Sequence, residues 1–515
     1  MTRLAMTRLV ATLPILASLA AGCSQDDPGT SVQVALAYDD ALGLETADVS
    51  LIDRSQSGPI AHQLLLLVPD DLAGAEMPME VWGRKAGKRA AYGTATTTPK
   101  LGETVAAAMT LTACAPACQN DMLTTCTGSA DACPLGCSED GDAHCIAPRP
   151  SNGVDPTMAD PLHGTTTISA DTTFDGDTGA ISGGLRRDAG TGVARGIGYV
   201  QAPAFGTGGS PLAIFAFHDL TIEAAATVRF TGTRAIVLLV GGVARIAGAI
   251  DVAAGHDARS APGPGGGAGG TAGAAAQGCG AGGAGTRDSI LGEDSGGAGG
   301  GAGTAGGAGG EGGATPGGAA GRMCLPARLE PLQGGSGGGA GSPGLAAITA
   351  SGGGGGGALQ ITALGSLEVS GTINAGGAGG DGGPLVSSDA GAGGGGGSGG
   401  AILLEAPTVT VGSKAILAAN GGGGGGGGTN TVASNPGASA SASLSPAPGG
   451  SATTLSSADG GDGGAEGVLP APGGIGANSS NGGGGGGAVG AIVIRGRVRM
   501  LAGTTSPSAI ETDVQ

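Results

Sequence analysis

The chain has 515 residues, of which 116 are glycine and 2% are aromatic, and it carries a formal charge of -18. So few large side chains cannot supply the buried area of one conventional globule of this length, although length alone allows about three or four domains. The acidity excludes electrostatic binding to nucleic acid or to an anionic headgroup surface.

At the start, Arg3 and Arg8 precede an apolar run over residues 9–21, a length suited to a signal peptide and too short to cross a bilayer as a helix. The run ends in LAAGC, residues 19–23, which resembles the lipobox of bacterial lipoproteins. That resemblance implies removal of residues 1–22 and lipidation of Cys23, so that acyl chains, at about 0.8 kcal/mol per buried methylene, partner the protein with a membrane. Ser24, standing where an aspartate would retain such a protein at the inner membrane, implies the outer membrane. Residues 23–30 then form a polar, lipid-anchored tether.

Over residues 31–113, the segments SVQVALAY, ADVSLID, HQLLLLVP, MEVWGR and VAAAMTLTA read as strands separated by Gly, Pro and Asp turns. Their spacing predicts a small antiparallel β-sandwich similar to immunoglobulin-like or transthyretin-like modules, with Trp82 in its core. Residues 114–147 form a disulfide-rich segment. Cys114, Cys118 and Cys126 are spaced C-x3-C-x7-C, and Cys133, Cys137 and Cys145 repeat that spacing. A stretch so polar buries little apolar surface, so covalent staples, worth about 2 to 4 kcal/mol each, replace a core. Connectivity stays open; the duplication favours one bridge inside each loop and a third between them. The C-x2-C spacing of common zinc modules is absent, and Glu139, Asp140 and Asp142 read as a solvated loop, so neither a metal nor a cofactor is expected.

Residues 148–164 read as a proline-marked linker. From 165 to 508 the periodicity changes. Five repeats, beginning at Leu212, Ala235, Ala358, Ala401 and Ala491, each contain three short alternating stretches. This pattern predicts a right-handed parallel β-solenoid, in which stacked repeats share one aliphatic core, with 165–211 as an irregular first turn and 509–515 as a tail. Glycine-rich blocks at 256–357, 376–400 and 421–487 follow the third stretch of a repeat, so all three leave one edge. Ordering a lone glycine strand costs about 1 to 2 kcal/mol per residue, but several side by side can pack as polyglycine II helices. Cys279 and Cys324, both in the first block, are candidates for a fourth disulfide.

A solenoid can host polysaccharide lyase or hydrolase chemistry, which needs carboxylates paired about one bond. Aligning the second stretches puts Thr221, Arg245, Glu368, Thr410 and Arg499 in one exposed column, with Arg245 and Glu368 as a surface ion pair. Aligning the first puts Glu405 in a column with Phe217, Leu239, Thr362 and Arg495, and the trio Arg495, Arg497 and Arg499 reads as blunting an exposed edge. DAHC at 142–145 and EDSGG at 293–297 resemble serine-protease signatures, but His144 lies in the disulfide segment and Ser295 in low-complexity sequence, so they read as coincidence.

The combination of lipobox, cysteine cluster and interrupted repeats with GGxGGx inserts resembles the glycine-rich surface lipoproteins of myxobacteria, often given a label borrowed from the mycobacterial PE-PGRS proteins. The resemblance implies an outer-membrane, surface-exposed, non-enzymatic protein and supplies no functional residues. The expectation is a structural or adhesive role contacting matrix polysaccharide or another cell; the alternative is a carbohydrate-active β-helix enzyme.

Overall fold

The computed structural model describes residues 29–514 except 52–53, 69, 127, 288–292, 343–348, 387–388, 455–456 and 477–479. The leader and Cys23 lie outside the described residues. The protein is mainly β, with several parallel sheets, four disulfides and no α-helix among the described residues. It divides into two compact bodies, one built on the chain up to Ala113 and one on the remainder.

In the first body, Ser31–Ala37 pairs antiparallel with Gln63–Leu67 and parallel with Thr104–Thr110. A second sheet holds, in order, Arg54–Pro59, Thr46–Leu51, Met77–Lys85, Lys88–Thr97 and Thr112–Ala113. Alternation gives each sheet one apolar face, and Val32, Val34 and Leu36 share a core with Val49, Met79, Val81 and Met109. Trp82 corrects its sequence reading: it falls between inward Val81 and Gly83, is only half-buried, and rests on Tyr92 with ring centroids 4.4 Å apart. The strand Lys88–Thr97 has no large aliphatic run to announce it. It packs through Ala91 and Gly93, where a Cβ would meet the Thr110 carbonyl at 2.6 Å.

The disulfide segment joins Cys114 to Cys126, Cys133 to Cys145 and Cys118 to Cys137: each duplicated loop closes on itself and the middle cysteines link the two. A three-stranded antiparallel sheet and one short hairpin carry it, and Cys137 and Cys145 also face one another as strand partners.

The five repeats each contribute one strand to each of three sheets and pair parallel within them, while strands of the segment before Leu212 join the first and third sheets partly antiparallel. Leu212–Phe217, Ala235–Val240, Ala358–Ala363, Ala401–Glu405 and Ala491–Arg495 lie side by side in the first sheet. The second holds Asp219–Ile222, Val243–Ile246, Ser366–Val369, Thr408–Val411 and Val498–Leu501. The third holds Thr227–Thr231, Ala249–Asp251, Thr372–Asn374, Ile416–Ala418 and Thr504–Ser506. Leu220, Ala244, Leu367 and Val409 from the second sheet join Val228, Ile250, Ile373 and Leu417 from the third and Phe215, Leu238, Ile361, Leu404 and Ile494 from the first in one buried cluster. No single repeat could bury these side chains alone; neighbours supply the missing walls.

The first sheet is buried on both faces, which is why its strands read as unbroken apolar runs rather than alternations. Its outer face is covered by Val154, Ala159 and Leu162 and by Leu329 and Leu332. The segment 148–164 is therefore a packed strap, not a free linker. Near the C-terminal end, Ile510–Thr512 adds a strand beside Val493, Ile494 and Arg495. An arginine closes each end of the stack. Arg187 donates to the carbonyls of Gly179, Gly192 and Ile197 and lies over the Tyr199 ring. Arg499 donates to the Thr512 carbonyl at 2.7 Å and pairs with Glu511 and Asp513.

The three glycine tracts all connect a third-sheet strand to the first-sheet strand of the next repeat, and they pack against one another. Their bonding has a three-residue period. In 352–357, Gly352 and Gly355 donate to Gly270 and Gly267, Gly353 and Gly356 to Gly395 and Ser398, and Gly354 and Gly357 to Arg259 and Val252. Successive amides thus point to three different neighbours, as an extended helix of about three residues per turn requires. The tract 421–428 repeats the pattern, with Gly422, Gly425 and Gly428 donating to Gly397, Gly394 and Gly391. Space, not backbone freedom, demands glycine here. A Cβ on Gly395 would stand 2.0 Å from the Ala298 carbonyl oxygen, and one on Gly424 2.1 Å from that of Gly484, while neither glycine has a left-handed φ. At the periphery only every third residue is buried: Gly318 and Gly321, Gly437 and Ala440, Ala447 and Gly450, Gly473 and Gly476. All-glycine runs therefore occupy the middle of the bundle and GxxG-type runs its rim. Cys279 and Cys324 are bonded, closing 45 residues of the first tract into a loop.

Candidate functional site

The exposed column on the second sheet runs Thr221, Arg245, Glu368, Thr410 and then Met500, not Arg499. Arg499 sits opposite Val409 in the inward column, where no further repeat covers the core. Arg245 and Glu368 approach to 4.0 Å with both side chains more than half exposed, an arrangement worth at most about 1 kcal/mol. The column holds one carboxylate and cannot supply paired acid and base.

The Glu405 column also shifts by one residue at its start, reading Ala216, Leu239, Thr362, Glu405 and Arg495, with Phe217 beside Val240 instead. Sequence reasoning placed Arg495 on an exposed edge, yet it is 4% exposed and Glu405 is 1% exposed. Of the three arginines in this repeat only Arg497 faces solvent. Arg495 Nη1 lies 3.3 Å from Glu405 Oε1 and also pairs with Glu330, while its Nη2 donates to the Arg328 carbonyl. Glu405 Oε2 accepts from Gln360 Nε2 at 2.9 Å, Thr362 Oγ1 at 2.8 Å and the Ser151 amide at 3.2 Å. Asn152 bridges Gln360, the Leu329 carbonyl and the Leu332 amide. Burial pushes the Glu405 carboxyl above its usual range despite these donors. Burial acts on Glu330 in the same sense, but hydrogen bonds from Arg495 and Ser151 and the arginine charge outweigh it and hold that carboxyl low. The two acids surround one guanidinium whose neighbours are protein groups. The cluster is a clasp that fastens the strap and the 325–333 loop to the sheet, and it offers a substrate no approach to Glu405.

His144 and Ser295 do not form a triad. His144 Nδ1 lies 2.8 Å from the Asp142 carbonyl in an exposed hairpin. Ser295 is not in a loose loop: it is fully buried, and its Oγ accepts from the Thr286 amide and donates to the Thr286 carbonyl. Among the described residues no group of three His, Cys, Asp or Glu side chains is placed to hold a metal ion.

One constellation escaped sequence reading. Asp251, the outward end of a third-sheet strand, pairs with His256 Nε2 at 3.1 Å, and Arg229 is its register partner. Beside them opens a cleft of about 280 Å³ lined by His256, Asp257, Phe230, Thr231, Thr233 and Pro262. The signal was DVAAGH, an outward acid followed five residues later by histidine across a glycine turn. Such a site can exchange hydrogen bonds with a hydroxylated ligand.

No family model matches this chain, and neither does any curated protein or solved structure.

The Asp251 pair carries a pH signature. Burial would raise the Asp251 carboxyl, but the His256 hydrogen bond, the Ala253 amide and the charges of His256 and Arg229 prevail and hold it below the ordinary aspartate range. A depressed folded-state pKa stabilises above the unfolded value, about 3.9, and that stability is lost as pH falls through the folded value. Asp251→Asn should therefore flatten the acid limb of the melting-temperature profile below about pH 4; a variant profile parallel to that of the unmodified protein contradicts the assignment.

Proposed function

We propose that this chain is a lipid-anchored protein of the outer-membrane surface, similar to the glycine-rich lipoproteins of myxobacteria, with a non-enzymatic structural or adhesive role. In this reading the N-terminal body is a β-sandwich module, and the stacked repeats are a right-handed β-solenoid carrying a polyglycine II bundle along one seam. The observation that carries the proposal is the bonding of the glycine tracts, whose successive amides each reach a different neighbouring backbone. Glycine left as filler would have no reason to be spared a Cβ at nearly every interior position. A rigid bundle held on a sheet stack is suited to presenting a large hydrated face to matrix polysaccharide or to another cell. The test is retention of the purified full chain on matrix polysaccharide and on whole cells. Saturable retention on either is expected; no retention on both counts against adhesion.

A carbohydrate-active enzyme is the second reading, favoured only by the Asp251–His256 pair beside its cleft. Turnover of an acidic polysaccharide that disappears in His256→Ala would replace the first reading with this one.

A further inference from the structure

The first body exposes leucines that its own packing does not use. In the edge strand Gln63–Leu67, Leu64 and Leu66 turn toward the core, whereas Leu65 and Leu67 point outward and are 58% and 75% exposed. Leu101, in the turn before Thr104–Thr110, is 67% exposed. An edge strand usually carries charge or proline as protection, so outward leucines there need a partner.

Their position identifies it. Leu67 is the register partner of Ser31, and the next amide, of Val68, donates to the Thr30 carbonyl at 2.9 Å. The Gly102 amide donates to Thr30 Oγ1 at 3.0 Å. Leu67 and Leu101 therefore flank the point where the chain enters the body. Thr30 lies only seven positions after Cys23, and at about 3.3 to 3.6 Å per residue that span reaches no further than roughly 25 Å. Two features describe the polar groups at this corner. Lys100 lies 3.8 Å from Glu103, and Asp70 accepts the Thr30 hydroxyl. The leucines are thus the distinguishing chemistry of the corner, and it suits the apolar margin of a bilayer rather than an anionic headgroup patch.

We propose that Leu65, Leu67 and Leu101 form a membrane-resting surface, inserting at the acyl boundary of the leaflet that holds the Cys23 lipid. The tether then acts as a short strap that sets the first body down on a fixed side. The proposal rests on the lipid-anchor reading, and the experiment separates the two.

The full chain, purified with its lipid, is reconstituted in phosphatidylethanolamine and phosphatidylglycerol vesicles containing brominated acyl chains. Leu67→Trp and Leu101→Trp are compared with Thr94→Trp, on the outward face of the other sheet, after subtracting the emission of Trp82. The first two should lose most of their emission to bromolipid, and Thr94→Trp little. Equal quenching of all three in a vesicle-bound, lipidated protein overturns the membrane-resting surface and leaves the anchor standing. Absence of a diacylglyceryl group on Cys23 by mass spectrometry overturns the anchor, and the proposal with it. Hydrogen exchange of the unmodified protein gives the same answer without substitution. Residues 63–68 and 99–103 should gain protection only on vesicles; protection that appears without lipid as concentration rises assigns the leucines to a second copy and overturns the proposal.

Discussion

Gly424→Val should destabilise the glycine bundle by about 3 kcal/mol, the upper end of the cost of overfilling a packed interior. A Cβ at this position would stand 2.1 Å from the Gly484 carbonyl oxygen and 2.4 Å from its carbon, and both belong to backbone that is itself bonded on other sides. Relief requires separating the two tracts by more than an ångström, which breaks the Gly484 to Gly425 and Gly487 to Gly422 hydrogen bonds nearby. Ala438→Val is the matched control, because Ala438 occupies an exposed position of a rim segment. It should change stability by less than about 0.5 kcal/mol. Thermal and denaturant unfolding read both variants, and equal behaviour of the two would mean that the interior is not close-packed.

Glu405→Ala should cost about 3 to 5 kcal/mol, since it leaves Arg495 buried with one fewer counter-charge and strips Gln360, Thr362 and the Ser151 amide of their acceptor. The pattern across variants is more diagnostic than the single value. Replacing the pair together, Glu405→Leu with Arg495→Met, should recover much of the loss, because desolvation of both charges is then avoided. Arg245→Ala, at the exposed pair, should cost no more than about 1 kcal/mol. Denaturant midpoints of the second body decide the matter; a double variant as unstable as Glu405→Ala contradicts a clasp built on the ion pair.

Much of this arrangement was legible in the sequence, and its failures have physical causes. The second and third stretches of each repeat alternate cleanly because one face is buried and the other is wet, so the column from Thr221 to Thr410 could be read to the residue. Alternation weakens in the last repeat, where no neighbour covers the inward position and Arg499 occupies a site that is aliphatic elsewhere. The first stretches carry almost no alternation, being buried on both faces, and Phe217 was placed one residue out of register for that reason. The strap was hidden by composition: PSNGVDP looks like solvated linker, yet Ser151 and Asn152 are buried because their polar atoms meet Glu405, Gln360 and backbone. The cysteine spacing was informative because its duplication mirrors two similar loops. For glycine, the distinction between unbroken runs and GxxG runs was visible, but its meaning as centre and rim required knowing which backbones touch.

The order of the glycine tracts reflects more than their own hydrogen bonds, each of which contributes only about 1 kcal/mol net against a comparable loss of backbone entropy. Each tract begins and ends on a strand of the stack, and the first is further closed by Cys279 and Cys324, so much of the entropy is already removed by the sheets and the disulfide. The aliphatic core and the bundle thus support one another.

Hydrogen exchange of the full chain, resolved over 352–357, 393–400, 421–428 and 482–487, tests this mutual support most directly. The interior glycine amides should exchange as slowly as those of the core strand Ala235–Val240, in one cooperative opening. Exchange at the rate of an unstructured peptide, beside protected strands, would contradict it.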